Sequence, residues 1–226
     1  MSESRKNKTD LRGADAIVLR ILALQSGDPQ RIQGAIDEID SVPAELTPHL
    51  IGLLGTTSVA LDVMRGLRAI AVSRTGALVD ALLDVRLSAD VRRRVARIVS
   101  VCRTADVVSG LLQACDDGDA SIRRQCARTL FVVRRRHPEV AVPEDRVFAL
   151  IDRQVESGAA DAALVFTLLA LVFQPAAIRA AYRSLRGSNA YARGFALEYL
   201  NGVLPGSLRV KLEPTVAGMG GRVASR

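Results

Sequence analysis

Arg93 and Arg97 stand four residues apart, as do Arg124 and Arg128, and both pairs lie in stretches whose apolar residues recur at helical spacing. One turn of helix therefore aligns the two guanidinium groups of each pair on one face. A guanidinium is a planar fork of N–H donors that grips carboxylate or phosphate at two points and stays charged at neutral pH. The chemistry such residues support is recognition of anions rather than proton transfer.

The stretches carrying the two pairs match each other. Residues 91–101 and 122–132 agree in kind at an offset of 31, through Val91/Ile122, Arg92/Arg123, Arg93/Arg124, Ala96/Ala127, Arg97/Arg128 and Val99/Leu130. Upstream, at an offset of 29, Thr75/Thr104, Leu78/Val107, Val79/Val108, Leu82/Leu111 and Leu83/Leu112 also correspond. The repeating unit is two helices and two turns, and a period of about 30 predicts a stack of helical hairpins. Stacking would place the four arginines at matching points of adjacent hairpins, as one basic patch.

Composition agrees with an all-α chain. Hydrophobic residues make up 49% and aromatics 4%, with no Trp, and the Ala, Val and Leu that dominate suit close helix packing. No stretch sustains the two-residue alternation of a half-buried strand. The net charge is +7, and residues 91–136 hold 11 Arg against Asp106, Asp116, Asp117 and Asp119, so this region alone carries an equal surplus. Only Lys6, Lys8 and Lys211 among the 31 basic residues are Lys, an arginine bias that genome base composition also produces.

Other chemistries find little support. His49 and His137 have no Cys or acid at ligand spacing, so no metal is expected. Asp37, Glu38, Asp40, Asp116 and Asp117 fall near helix ends, where capping explains them. Gly218, Gly220 and Gly221 follow no strand and form no phosphate cradle. The expectation is a non-enzymatic chain without cofactor. Cys102, Cys115 and Cys126 are odd in number, lack Cys-x-x-Cys spacing and sit in helical patterns, which fits a reduced, cytoplasmic protein. The polar start of the chain lacks the apolar core of a secretory signal. The longest apolar run, 162–173, falls short of the roughly 20 residues of a membrane span and predicts a buried helix.

In chain order, residues 1–13 read as a disordered leader and 14–213 as the helical array. Asp28 and Pro29 open the second helix as cap and first residue, and Asp119 is placed to cap the helix that carries Arg124. Further helices are expected at 146–156, 160–173, 175–186 and 189–204, with Tyr191, Phe195 and Tyr199 four residues apart in the last. Residues 214–226 read as a flexible tail.

The run from Asp119 to Ala127, Asp-x-x-Ile-Arg-x-x-x-Ala, together with Asp117, resembles the HEAT-repeat pattern over residues 14–136. That resemblance implies a right-handed α-solenoid of about five or six hairpins whose second helices line the concave side. It also implies bonds between a turn aspartate and the arginine of the second helix in neighbouring units. The 31-residue offset puts Arg86, not an acid, where the third hairpin would need that aspartate. Residues 165–169 and 196–205 are similar to soluble HEAT-like domains that accompany bacterial nucleotide-transporter-like membrane proteins. The basic DNA-glycosylase branch of HEAT-like proteins is similar in length, but the tryptophans that help hold an extruded base have no counterpart here.

The function expected from this reading is a scaffold or adaptor that binds an acidic protein segment through Arg93, Arg97, Arg124 and Arg128, reaching a membrane only through its partner. The alternative is nucleic-acid binding by the same arginines, reading phosphate rather than sequence.

Overall fold

The computed structural model describes residues 16–37, 43–156 and 161–219. Every regular element in them is helical. The expected leader, the Val42-Pro43 turn apart from Pro43, and the chain after 219 lie outside the described residues. The chain divides into two compact units, Met1–Gly110 and Leu111–Arg226.

The first unit holds α1 (residues 16–25), α2 (Pro29–Asp37), α3 (Thr47–Leu53), α4 (Ala60–Ile70), α5 (Thr75–Leu83) and α6 (Ala89–Ile98). A 3-10 turn at Ala44–Leu46 leads into α3 and another at Val99–Val101 ends α6. From there α7 (Ala105–Ala114) carries the chain into the second unit. Within the first unit α3 pairs with α4 and α5 with α6, while α4 packs on both α2 and α6, and α3 packs on α5. First helices thus neighbour first helices, and second helices neighbour second helices.

Apolar spacing explains this packing. Val59, Val63 and Leu67 form the buried side of α4, Leu78 and Leu82 that of α5, and Val91, Val95 and Ile98 that of α6. Ala96 has no exposed surface, so a small side chain there lets a neighbouring helix approach. Gly110 marks a closer approach still, since a Cβ at that position would stand 2.6 Å from Cγ1 of Val79.

The second unit contains α8 (Ala120–Arg136), α9 (Glu144–Glu156), α10 (Ala162–Val172), α11 (Pro175–Arg186), α12 (Ala190–Val203) and α13 (Gly206–Gly218). At its centre is α10, which packs on α8, α9 and α11 and buries Leu164, Val165, Phe166, Leu168 and Leu169. The apolar run at 162–173 is therefore a core helix, as its length predicts, and no helix among the described residues is long and apolar enough to cross a membrane. On the outside, α12 packs on α11, and α13 returns to α9.

The expected boundary at 213/214 does not hold, because α13 continues through Pro214 to Gly218. Leu208, Leu212 and Val216 recur every four residues on its buried side, and that burial carries the helix past a proline that ordinarily breaks one. Lys211 anchors the same helix to α9, 3.0 Å from Asp152 and 3.1 Å from Glu156.

Candidate functional site

A recurrent set of arginines closes the helix ends. Arg92, Arg123, Arg193 and Arg209 each occupy the fourth position of their helix, namely α6, α8, α12 and α13. Each reaches back to a carbonyl at the end of the preceding helix or in the turn after it. Arg92 donates Nε to Leu82 at 2.8 Å, Arg123 donates Nη1 to Asp117 at 2.7 Å and Gly118 at 3.0 Å, and Arg209 donates Nη1 to Asn201 at 3.0 Å. Arg193 donates Nη1 to Leu185. The last carbonyls of a helix lack intrahelical donors and carry the negative end of its dipole, so a cation there satisfies both demands. Arg94 plays a related part by donating to the carbonyl of Leu54, just past the end of α3.

The sequence offers a signal for this device that the repeat alignment alone passed over. In all four cases the arginine stands four residues after the residue preceding the helix: Ser88, Asp119, Asn189 and Pro205. The turn of the third hairpin carries an acid two residues before Arg86, as Asp84. Asp84 accepts from the Arg86 backbone N–H at 2.9 Å and from both Nε and Nη2 of its side chain, each at 2.9 Å. These hydrogen bonds hold its carboxyl below the ordinary value of 3.8, with the positive charges of Arg86 and Arg92 adding to the effect.

Against this background the four arginines singled out by spacing divide. In the first unit Arg93 is half-buried and pairs with Asp90 one turn earlier, while Arg97 is exposed. In the second unit Arg124 pairs with Asp161, whose other oxygen caps α10 by accepting from Ala163 and Leu164. Arg124 therefore ties α8 to the start of α10. Arg128 is exposed and has no ion pair among the described residues.

Around Arg128 the second unit assembles a basic face that spacing along one helix does not reveal. The Arg179 guanidinium of α11 lies over the Phe131 ring of α8, 5.3 Å from its centroid. Arg128 precedes Phe131 by three residues and Arg135 follows it by four, so both neighbour the ring on the helix surface. Arg179 donates Nε to the Pro175 carbonyl at 3.3 Å, and Arg183 donates Nε to the Arg179 carbonyl at 3.4 Å. Both side chains are folded along α11, which limits their rotamers in advance of any ligand. Arg186 lies over Tyr182, 5.6 Å from its centroid, and Tyr182 in turn meets Phe166 of the central helix at 5.0 Å. The sequences of α8, α10 and α11 contain no acidic residue.

The thiols lie elsewhere. All three cysteines are free and buried. Desolvation raises the Cys102 pKa, and it pushes Cys115 up strongly, helped by Cys126 and the Asp116 carboxylate nearby. Burial of this kind favours the unreactive thiol over the thiolate. No group of three His, Cys, Asp or Glu side chains among the described residues is arranged to hold a metal ion.

No protein-family model matches the chain, and no curated protein matches it.

Proposed function

We propose that this chain is a non-enzymatic adaptor, a helical-hairpin solenoid of the HEAT kind, that binds an acidic protein segment on the α8/α11 face of its second unit. The observation that carries this reading is the set of Arg128, Arg135 and Arg179 around Phe131, on helices that contribute no acid. An acidic segment supplies the missing counter-charge, and the arginine stems give its apolar side chains a surface to cover. A protein segment suits this face better than an unpaired nucleic acid strand, because Phe131 already lies beneath Arg179 and offers no open ring for a base.

The solenoid reading draws on the two rows of helices in the first unit and on the recurrence of Arg92 and Arg123 at one repeat position. Duplex binding through phosphate is the competing use of the same arginines, favoured by the lack of acids on α8 and α11. A cytoplasmic location suits three free, buried thiols.

A pull-down from native lysate with the wild type and an Arg128/Arg135/Arg179→Glu variant tests the reading. The partner retained by the wild type should be lost by this variant and kept by Arg93/Arg97→Glu. Equal recovery by all three would place the binding surface elsewhere.

A further inference from the structure

Consecutive helices α12 and α13 are held by different neighbours. The first packs on α11 and the second on α9, where Lys211 fastens it to Asp152 and Glu156. Between them lies a cleft of about 440 Å³. That volume falls within the roughly 300–1,000 Å³ of small-molecule sites. Its floor is apolar, made by Leu200 and Leu204 of α12 and Leu212 and Val216 of α13, all four buried. Leu197, 40% exposed, stands at the lip. An apolar guest that displaces water from such a floor gains hydrophobic free energy.

Charge selects the guest's head group. Three charged side chains line the cleft, namely Arg193, Arg209 and Glu213, so cations outnumber the acid. Both arginines are already placed, because Nη1 of Arg193 donates to the Leu185 carbonyl and Nη1 of Arg209 to that of Asn201. A guanidinium carries five N–H donors, so a single bond to a carbonyl leaves others for an anion. Arg193 is half-buried and therefore less screened by solvent than the exposed Arg209.

We propose that the α12/α13 cleft binds a small amphipathic carboxylate, an acyl anion of roughly eight carbons, with its head on Arg193 and its chain along Leu197, Leu200 and Leu204. These four residues recur at three- and four-residue spacing, so they follow one another along a single face of α12. From Leu197 to Leu204 the helix rises about 10.5 Å. Carbon–carbon bonds of about 1.5 Å give an eight-carbon chain a similar reach. The site lies apart from the basic α8/α11 face and asks nothing of it.

Isothermal titration calorimetry of the full chain with octanoate, octylammonium and acetate separates the chain's contribution from that of the head. The wild type should bind octanoate with a Kd below about 1 mM, and the other two at least about tenfold more weakly. Leu197→Glu changes a partly exposed lip residue and sets a carboxylate beside the guest's chain, so it should weaken octanoate at least about tenfold and strengthen octylammonium, with unchanged helical circular dichroism. Unfolding would weaken both ligands alike and could not produce that reversal. Octylammonium or acetate bound as tightly as octanoate by the wild type, no octanoate binding up to about 5 mM, or a Leu197→Glu variant that keeps the wild-type preference overturns the proposal.

Discussion

Arg92, only 5% exposed, donates its Nε to the Leu82 carbonyl at 2.8 Å and so fastens the start of α6 to the end of α5. Removing one partner of a buried, charge-assisted bond leaves the other unsatisfied. Arg92→Ala should therefore lower stability by about 2–3 kcal/mol, and Arg92→Lys should recover only part, because a lysine lacks the planar fork. Urea denaturation of the two variants measures both effects. A midpoint unchanged in Arg92→Ala would show that the bond adds nothing.

The repeat position occupied by Ala96 and Ala127 is fully buried in both hairpins. Ala96→Asp and Ala127→Asp each insert an unpaired carboxylate into a packed helix contact and should cost roughly 3 kcal/mol or more. Thermal melts of the two variants check this, and unchanged melting temperatures would contradict the packing described for α6 and α8.

Glycines should respond in opposite directions according to their surroundings. Gly110→Ala brings a Cβ to 2.6 Å from the stiff Val79 side chain, so it should destabilise, and Val79→Ala should relieve part of the loss. Gly194→Ala meets open space and should gain up to about 1 kcal/mol through helix propensity. Equal signs for the two glycine substitutions in denaturant titrations would contradict the close approach of α7 to Val79.

Asp84 should titrate below 3.8 because Arg86 bonds its charged form. A carboxyl depressed in the folded state contributes stability that is present above its unfolded value and is lost as pH falls through the folded one. That window lies at and below 3.8. Following the Asp84 carboxyl by NMR, the Arg86→Gln variant should titrate at higher pH than the wild type. An identical titration would mean that the ion pair does not form in solution.

Much of the architecture can be read from the chain because it depends on local rules. Asp28 and Asp119 act as helix caps, accepting from Gln30 at 2.9 Å and Ser121 at 2.7 Å, where short polar side chains before apolar periodicity place them. The buried α10 follows from an apolar run too short to span a membrane. Three features resisted because they depend on tertiary contact. Arg123 and Arg124 are neighbours in sequence, yet one closes a turn within its hairpin and the other pairs with Asp161, 37 residues away. The continuation of α13 through Pro214 depends on burial of Leu212 and Val216. The Arg179–Phe131 contact joins helices that share no sequence pattern, so the basic face is invisible until α11 is seen to reach α8.

A fluorescence titration reads whether the face around Phe131 recognises an acidic protein segment, as proposed. A labelled oligoglutamate peptide and a duplex oligonucleotide would be titrated at about 50 and 200 mM salt, the range over which counterion release separates phosphate binders. The wild type should bind the peptide, and Arg128/Arg135/Arg179→Glu should weaken it at least about tenfold, the equivalent of 1.4 kcal/mol. Peptide binding that survives the triple substitution, or duplex binding with a salt slope near −2.7 from about three neutralised phosphates and no peptide binding at the lower salt, would contradict the account.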